Sequence, residues 1–179
     1  NGQEQISTMV KALADFYRIC LGSAHERIRL GDELRHASSY LTIQKIRYSD
    51  VVESFIEASP EDMALMVPSM ILQPLIENAI YHGLKGGSHL GTIIIRENQD
   101  GDDLFIEVRD DGRGMLDEEI EALNASLRAG ERENHGVGNV HRRIELICGP
   151  EYGLSYSKNA DGGICAVIHL PAVDADSKP

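Results

Sequence analysis

The chain has 179 residues, 42% of them hydrophobic, which suits one core domain with an appendage. Lys and Arg number 17 against 29 Asp and Glu, a net charge of −12 with no dense basic stretch, which argues against nucleic acid as the main partner. No apolar run is long enough to cross a bilayer and no signal peptide opens the chain. Cys20, Cys148 and Cys165 are odd in number, far apart and without a CxxC pair, so core or incidental thiols in a reducing compartment read better than disulfides or zinc. The first residue is Asn1 and the pattern begins inside a helix, as expected of an excised piece.

Residues 3–21 read as a helix, with Ile6, Met9, Leu13, Phe16 and Cys20 alternating steps of three and four, a heptad seam that wants a partner. Gly22-Ser23 breaks it. Asp32 is placed to cap a second helix, with Glu33 in its first turn, and Leu34, Ala37, Leu41, Gln44 and Tyr48 repeat the seam. The pair predicts an antiparallel helical hairpin, too thin to be stable alone. It could pack on the domain that follows, but a bundle completed by a second copy is the favoured expectation. His25 falls in the inter-helix loop and His36 on the second helix; both read as solvated histidines.

Val51–Ala58 alternates weakly and reads as an edge strand, Ser59-Pro60-Glu61-Asp62 as a turn, and Met63–Val67 as an apolar connector. Leu72–Lys85 (LQPLIENAIYHGLK) then predicts a helix. Leu72, Leu75, Ile76, Ala79, Ile80 and Leu84 form a core-facing stripe, and Pro74 sits near its start, where a missing N–H costs little. The other side of that helix carries Glu77, Asn78 and His82. Thr92–Glu97 reads as a buried strand, 98–102 as a turn, and Asp103–Arg109 as its hairpin partner with Leu104, Ile106 and Val108 on one face. Residues 115–135 are polar, with a short helical pattern near Glu118–Leu127. Gly138–Cys148 is helical and stopped by Gly149-Pro150. Gly153–Ser157 and Gly163–Leu170 close as a hairpin, and the tail after Pro171 is expected to fray. The sum is an α/β two-layer sandwich, a mixed β-sheet covered by helices on one face, preceded by an α-helical hairpin.

Three segments stand out in order: the Asn78 helix, the strand ending in Asp110-Asp111-Gly112-Arg113-Gly114, and the Gly136-Val137-Gly138-Asn139-Val140 turn into a helix. They resemble the N, G1 and G2 boxes of the GHKL (Bergerat) ATPase superfamily of gyrase, MutL, heat-shock chaperones and histidine kinases. ELRHASSYLTIQKIRY, LQPLIENAIYHG and GNVHRRIEL are similar, more narrowly, to LytS/YesM-type sensor histidine kinases, over nearly the whole chain. The resemblance implies a partial dimerisation and phosphoacceptor region at 1–50, an ATP-binding catalytic domain at 51–172 and a disordered tail at 173–179. It also favours a homodimer through the N-terminal helices, a response regulator as partner, and a cytoplasmic domain of a bacterial membrane sensor whose membrane part lies in a missing N-terminal portion. The family's phosphorylated histidine sits in a His-Phe-Leu-type motif, and this sequence contains none.

Site roles follow from the same resemblance. Asn78 offers a neutral oxygen to Mg²⁺, which binds through one or two protein oxygens plus substrate phosphates. Glu77 serves as a partner of the metal's waters or as a base, and His82 and Lys85 stand one and two turns on, Lys85 as a point charge for phosphate. Asp110 accepts from the adenine amino group of ATP, with Gly112 and Gly114 letting the ligand approach the backbone. Gly136, Gly138 and Asn139 would bring free N–H groups at a helix start to the phosphates, although Asn134 stands where the family's first glycine is expected. Residues 115–135 would be a lid. The water-activating Glu of gyrase-type ATPases is replaced by Pro74, so a protein histidine is the expected phosphoryl acceptor and hydrolysis is expected to be slow. The alternatives are a GHKL-type ATPase clamp, a non-catalytic nucleotide-sensing module, and a serine-directed anti-sigma kinase, which the Gln44–Arg47 region fits poorly.

Overall fold

The computed structural model describes residues 7–14, 26–47, 52–84, 91–130, 136–160 and 162–175, with backbone alone for 82–84. Residues 7–14 form α1, in which Ala12 is buried while Met9, Val10 and Leu13 are exposed. The remainder of the first predicted helix, His25, and the boundary drawn between residues 50 and 51 lie outside the described residues.

Five strands make the main sheet: β2 (Val52–Glu57), β4 (Gly91–Asp100), β5 (Asp103–Asp110), β6 (Gly153–Lys158) and β7 (Ile164–Pro171), in the order β2-β4-β5-β7-β6. Among the described residues the β2–β4 pair is parallel and the other pairs of this sheet antiparallel, as the helix-bearing crossover from β2 to β4 requires. The edge position expected for residues 51–58 and both expected hairpins are therefore present. A small antiparallel pair, β1 (Arg27–Arg29) with β3 (Met66–Pro68), forms where a plain connector was expected. The expected turn is a 3-10 helix, Pro60–Ala64, capped by the Ser59 side chain.

The helices are α2 (Leu30–Arg47), α3 (Leu72–Asn78), α4 (Asp117–Ala129) and α5 (Val137–Cys148). Ile93, Ile95, Leu104, Ile106, Val108, Leu154 and Ile168 face them from the sheet and are buried with Leu72, Leu75, Ile76, Ile80, Val140 and Ile144. Period-two and period-3.6 apolar patterns thus meet in one core, which leaves helices on a single face. Burying one such aliphatic side chain stabilises by about 1.5–3 kcal/mol.

Three expectations fail around α2. The helix starts at Leu30, so Asp32 is not a cap; it lies in the first turn and accepts from Arg35 Nη1 at 2.9 Å. The seam Leu34, Ala37, Leu41 and Gln44 is buried against the same chain, where α2 packs on α3, β2, β3 and the 3-10 helix, rather than kept for a second copy. His36 is fully buried, not solvated, and desolvation pushes its pKa down. Heptad spacing shows that a stripe must be covered; it carries no information about which surface covers it.

Glu33 is also fully buried and reaches across to the start of α3. Its Oε2 accepts from the Met70 N–H at 3.0 Å, and Oε1 from the Ile71 and Leu72 N–H groups at 2.8 and 2.9 Å. The residue at the helix's own N-cap, Ile71, supplies no side-chain acceptor, so Glu33 satisfies amides that the helix cannot. It also fixes Met70, whose φ of 62° is the left-handed region that a β-carbon disfavours. Arg143 of α5 lies near the carboxylate and donates to Ser69 Oγ at 3.0 Å. Burial pushes the Glu33 pKa up, against the three amides and Arg143, which pull it down.

The fraying expected after Pro171 does not reach Ala172–Asp174. The Ala172 N–H donates to the Asp102 carbonyl at 2.8 Å, Val173 O accepts from the Met66 N–H at 2.7 Å, and Asp174 bridges to Leu65.

Candidate nucleotide site

The Asn78 helix is shorter than its sequence pattern: α3 ends at Asn78 and the chain widens into a π-helical turn over Ala79–Leu84. π-turns concentrate at functional sites. A cleft of about 730 Å³ opens beside Asn78 and Ala79, bounded by Val108 and Asp110 of β5, Arg113–Leu116 of the following loop, Gly136 and Val137 at the start of α5, and Tyr156, Ile164 and Ala166 on the sheet. That volume is in the range of small-molecule and cofactor pockets, as is the mix of an apolar lining with a few convergent polar groups.

Asp110 ends β5 and is buried. Its Oδ1 accepts from the Gly112 N–H at 2.9 Å and the Ile164 N–H at 3.4 Å, while Oδ2 has no protein hydrogen bond among the described residues. Burial pushes the carboxyl pKa up, the two N–H groups pull it down, and neighbouring Asp111 adds to the rise. Asp111 turns the other way and accepts from the Thr92 N–H at 2.7 Å, so the two aspartates of the turn divide into a cleft group and a sheet anchor. Asn159 Nδ2 donates to the Asp110 carbonyl at 3.0 Å, tying the β6–β7 turn to this strand end.

Gly114 is required twice over. Its φ is +69°, and a β-carbon there would lie 2.4 Å from the Gly162 carbonyl oxygen. Gly114→Ala is expected to cost about 2 kcal/mol or more through left-handed strain and displacement of the turn. The check is the urea midpoint together with nucleotide affinity, and both are expected to fall.

Among the sequence-predicted residues, Asn78, Asp110, Gly114 and Gly136 are brought to one cleft. Gly112 and Gly138 adjoin lining residues and Asn139 lies one residue further along α5; none of the three lines the cleft. Glu77 faces α2: its Oε1 accepts from Gln73 Nε2 at 2.8 Å, and Tyr40 of α2 is bonded to the same carboxylate. The His82 side chain, Lys85 and Asn134 lie outside the described residues. The first turn of α5 starts at Gly136, which makes no side-chain cap bond, and a helix start directs its N–H groups toward an anion.

Three polar lining residues escaped the sequence reading. Arg113 brings a cation to the cleft, and Glu119 accepts from the Leu116 N–H at 2.8 Å and closes the loop onto α4. Tyr156 lies on the inward face of β6. Only the alternation of β6 could have signalled Tyr156, and it does not reveal which inward side chain borders the cleft. The expected lid is in large part a docked helix: α4 fills 117–129, with Ile120 and Leu127 buried. Asn124 clamps the Tyr156 backbone from both sides at 2.9 and 2.8 Å, and Lys158 pairs with Asp117 at 2.8 Å. Residues 131–135 lie outside the described residues.

A mixed sheet backed by helices, with its cleft between the Asn-bearing helix and the end of the central strand, is the architecture of histidine kinase catalytic domains. Solved structures agree. The chain is similar to the histidine kinase domain of the Erythrobacter litoralis EL346 blue-light activated kinase (TM-score 0.58, 20% identity, 97% of this chain and 80% of that one). It is similar also to the catalytic domain of histidine kinase ThkA (TM-score 0.61, 16% identity, 83% and 96%) and to ThkA in complex with response regulator protein TrrA (TM-score 0.60, 19% identity, 99% and 50%). The chain belongs to the histidine kinase-, DNA gyrase B- and HSP90-like ATPase family, whose model matches residues 67–174, and the histidine kinase family model matches residues 1–52. Among curated proteins it is 30% identical over 168 residues to sensor histidine kinase BtsS of Escherichia coli K12 (94% of this chain). It is 31% identical over 173 residues to sensor protein kinase HptS of Staphylococcus aureus USA300 (94% of this chain). The chain spans 28% and 33% of those two proteins' lengths. No helix among the described residues is long and apolar enough to cross a membrane.

Proposed function

We propose that this chain is the ATP-binding catalytic part of a sensor histidine kinase, which transfers the γ-phosphoryl group of Mg·ATP to a protein histidine and from there to a response regulator. The observation that carries this reading is the convergence of Asn78, Asp110 and the uncapped start of α5 on one cleft. Asp110, with Oδ2 unbonded among the described residues, is suited to accept from an adenine amino group, and apolar Val108, Ile164 and Ala166 to flank the ring. Arg113 and the amides at Gly136 and Val137 supply positive charge for phosphates. The donor set fits magnesium: Asn78 is a hard neutral oxygen ligand next to the phosphate end of the cleft, and the metal when bound would neutralise charge on the transferring group. The histidine nitrogen attacks the γ-phosphorus as the bond to the leaving ADP oxygen breaks, so positioning and charge stabilisation carry the catalysis.

Pro74 occupies the position four residues before Asn78 and cannot activate water, which favours a protein acceptor over hydrolysis. The ThkA–TrrA complex supports a response regulator as the downstream partner. The exposed Met9, Val10 and Leu13 on α1 suit a dimer through the N-terminal region, and the similarity to sensor kinases BtsS and HptS supports the reading of a cytoplasmic portion of a membrane sensor.

Calorimetric titration with a non-hydrolysable ATP analogue, with magnesium and with chelator, tests the reading. Binding strengthened by magnesium is expected, with little steady phosphate release and no label retained by this chain after incubation with radioactive ATP. Absence of nucleotide binding would overturn the assignment.

A further inference from the structure

β5 and β7 pair as far as Arg109 and Cys165. One residue on, side chains take over: Asp110 Oδ1 accepts from the Ile164 N–H at 3.4 Å, and the Asp110 carbonyl accepts from Asn159 Nδ2 at 3.0 Å. The Asp111 N–H donates to the Thr92 carbonyl at 3.3 Å. The peptide group between the two aspartates is therefore held at both ends, by β4 on one side and by the β6–β7 turn on the other. The turn does not need the Asn159 side chain to close. The Asn159 N–H donates to the Gly163 carbonyl at 2.8 Å and the Gly162 N–H to the Asn159 carbonyl at 3.1 Å. An asparagine in a turn ordinarily bonds its own backbone two residues on; this one is spent 49 residues away. The approach is so close that a β-carbon at Gly163 would fall 2.0 Å from the Asp110 carbonyl oxygen.

We propose that Asn159 is a positioning residue for base selection. By holding the Asp110 carbonyl it fixes the rotation of the Asp110–Asp111 peptide, and with it the direction in which Oδ2 faces the cleft. The link is the Gly112 N–H, which Oδ1 accepts at 2.9 Å. Rotation of that peptide carries Gly112 away from Oδ1, so the carboxylate turns about its Cα–Cβ bond and Oδ2 leaves the base. Asn159 does not itself line the cleft, so it reaches a nucleotide only through Asp110. The ligand class so selected is a purine with an amino donor on the edge that meets Oδ2, since a carboxylate can only accept. The inference rests on the reading of Asp110 as the acceptor for adenine.

Asn159→Ala removes the donor, and Asn159→Asp sets a carboxylate oxygen against the Asp110 carbonyl. Affinities for ATP and ITP are measured by calorimetry in the native chain and both variants, with melting temperatures alongside. The two nucleotides carry the same phosphates, so a general loosening of the fold lowers both affinities and leaves their ratio alone. The ratio of ATP to ITP affinity is expected to fall about three- to tenfold in Asn159→Ala, the range of one hydrogen bond, and further in Asn159→Asp. In the Asp110→Asn background Asn159→Ala is expected to leave the ratio unmoved, because no carboxylate remains to be aimed. The native ratio retained in both variants, whatever the fall in melting temperature, would overturn the inference and leave the role of Asp110 standing. A native chain that binds ATP and ITP equally would overturn both the inference and the role of Asp110.

Discussion

Asp110→Asn is expected to weaken ATP binding between about tenfold and a hundredfold while the domain stays folded. The substitution preserves Oδ1, which accepts from the Gly112 and Ile164 N–H groups, so the turn keeps its internal bonds. The change falls on Oδ2, where an acceptor becomes an N–H donor facing the amino group of adenine. A hydrogen bond to a charged partner contributes about 1.5–3 kcal/mol, and each 1.4 kcal/mol is a factor of ten in affinity. The same substitution turns the site toward a base with a carbonyl at that position, so the ratio of ATP to ITP affinity is expected to fall further than ATP affinity alone. Calorimetry with both nucleotides reads the ratio. An unchanged ratio would place the base elsewhere in the cleft.

Glu33→Ala is expected to destabilise by about 3 kcal/mol, because it strips acceptors from two buried N–H groups and a half-buried one and leaves Arg143 beside an empty site. For a domain of this size that corresponds to roughly 10 °C in melting temperature. Glu33→Gln is expected to be milder: one oxygen survives for Ile71 and Leu72, while an NH₂ group meets the Met70 donor. Acid–base linkage gives a second readout. Burial raises the Glu33 pKa in the native state, so the native chain binds a proton that the unfolded chain has released. That contribution to stability is complete below the ordinary glutamate range and is lost as pH rises through the raised native value. Urea unfolding across this window is expected to show the decline in the native chain and a flatter profile in Glu33→Gln. A loss in Glu33→Ala below about 1 kcal/mol, typical of an exposed side chain, would remove Glu33 as the anchor of α3.

The two predictions lie on different links of the same chain of causes. Asp110 is proposed to act on the ligand, whereas Glu33 acts on the helix that carries Asn78 and on Met70 at its entry. Nothing local to Leu72–Asn78 caps that helix; its start is defined by a carboxylate 37 to 39 residues earlier. Helices α2 and α3 are therefore mechanically joined, with Tyr40 and Glu77 making a second contact between them.

The sequence by itself determined the elements whose signal is periodic. The stripe of Leu72, Leu75, Ile76 and Ile80, the alternation of Leu104, Ile106 and Val108, and the stop at Gly149 each report burial or a backbone conformation imposed on neighbouring residues. Asn78, Asp110 and Gly114 were legible for a related reason: a polar residue interrupting an apolar pattern, or a glycine after a strand, is a local departure that can be seen without partners. Only the tertiary structure decided where α2 buries its seam, that Glu33 closes α3, that Glu77 faces α2, and that Arg113 and Tyr156 enter the cleft. Those assignments depend on distances between segments far apart in the chain. Side-chain periodicity reveals which face of an element must be covered, and three-dimensional packing alone selects the residue that covers it.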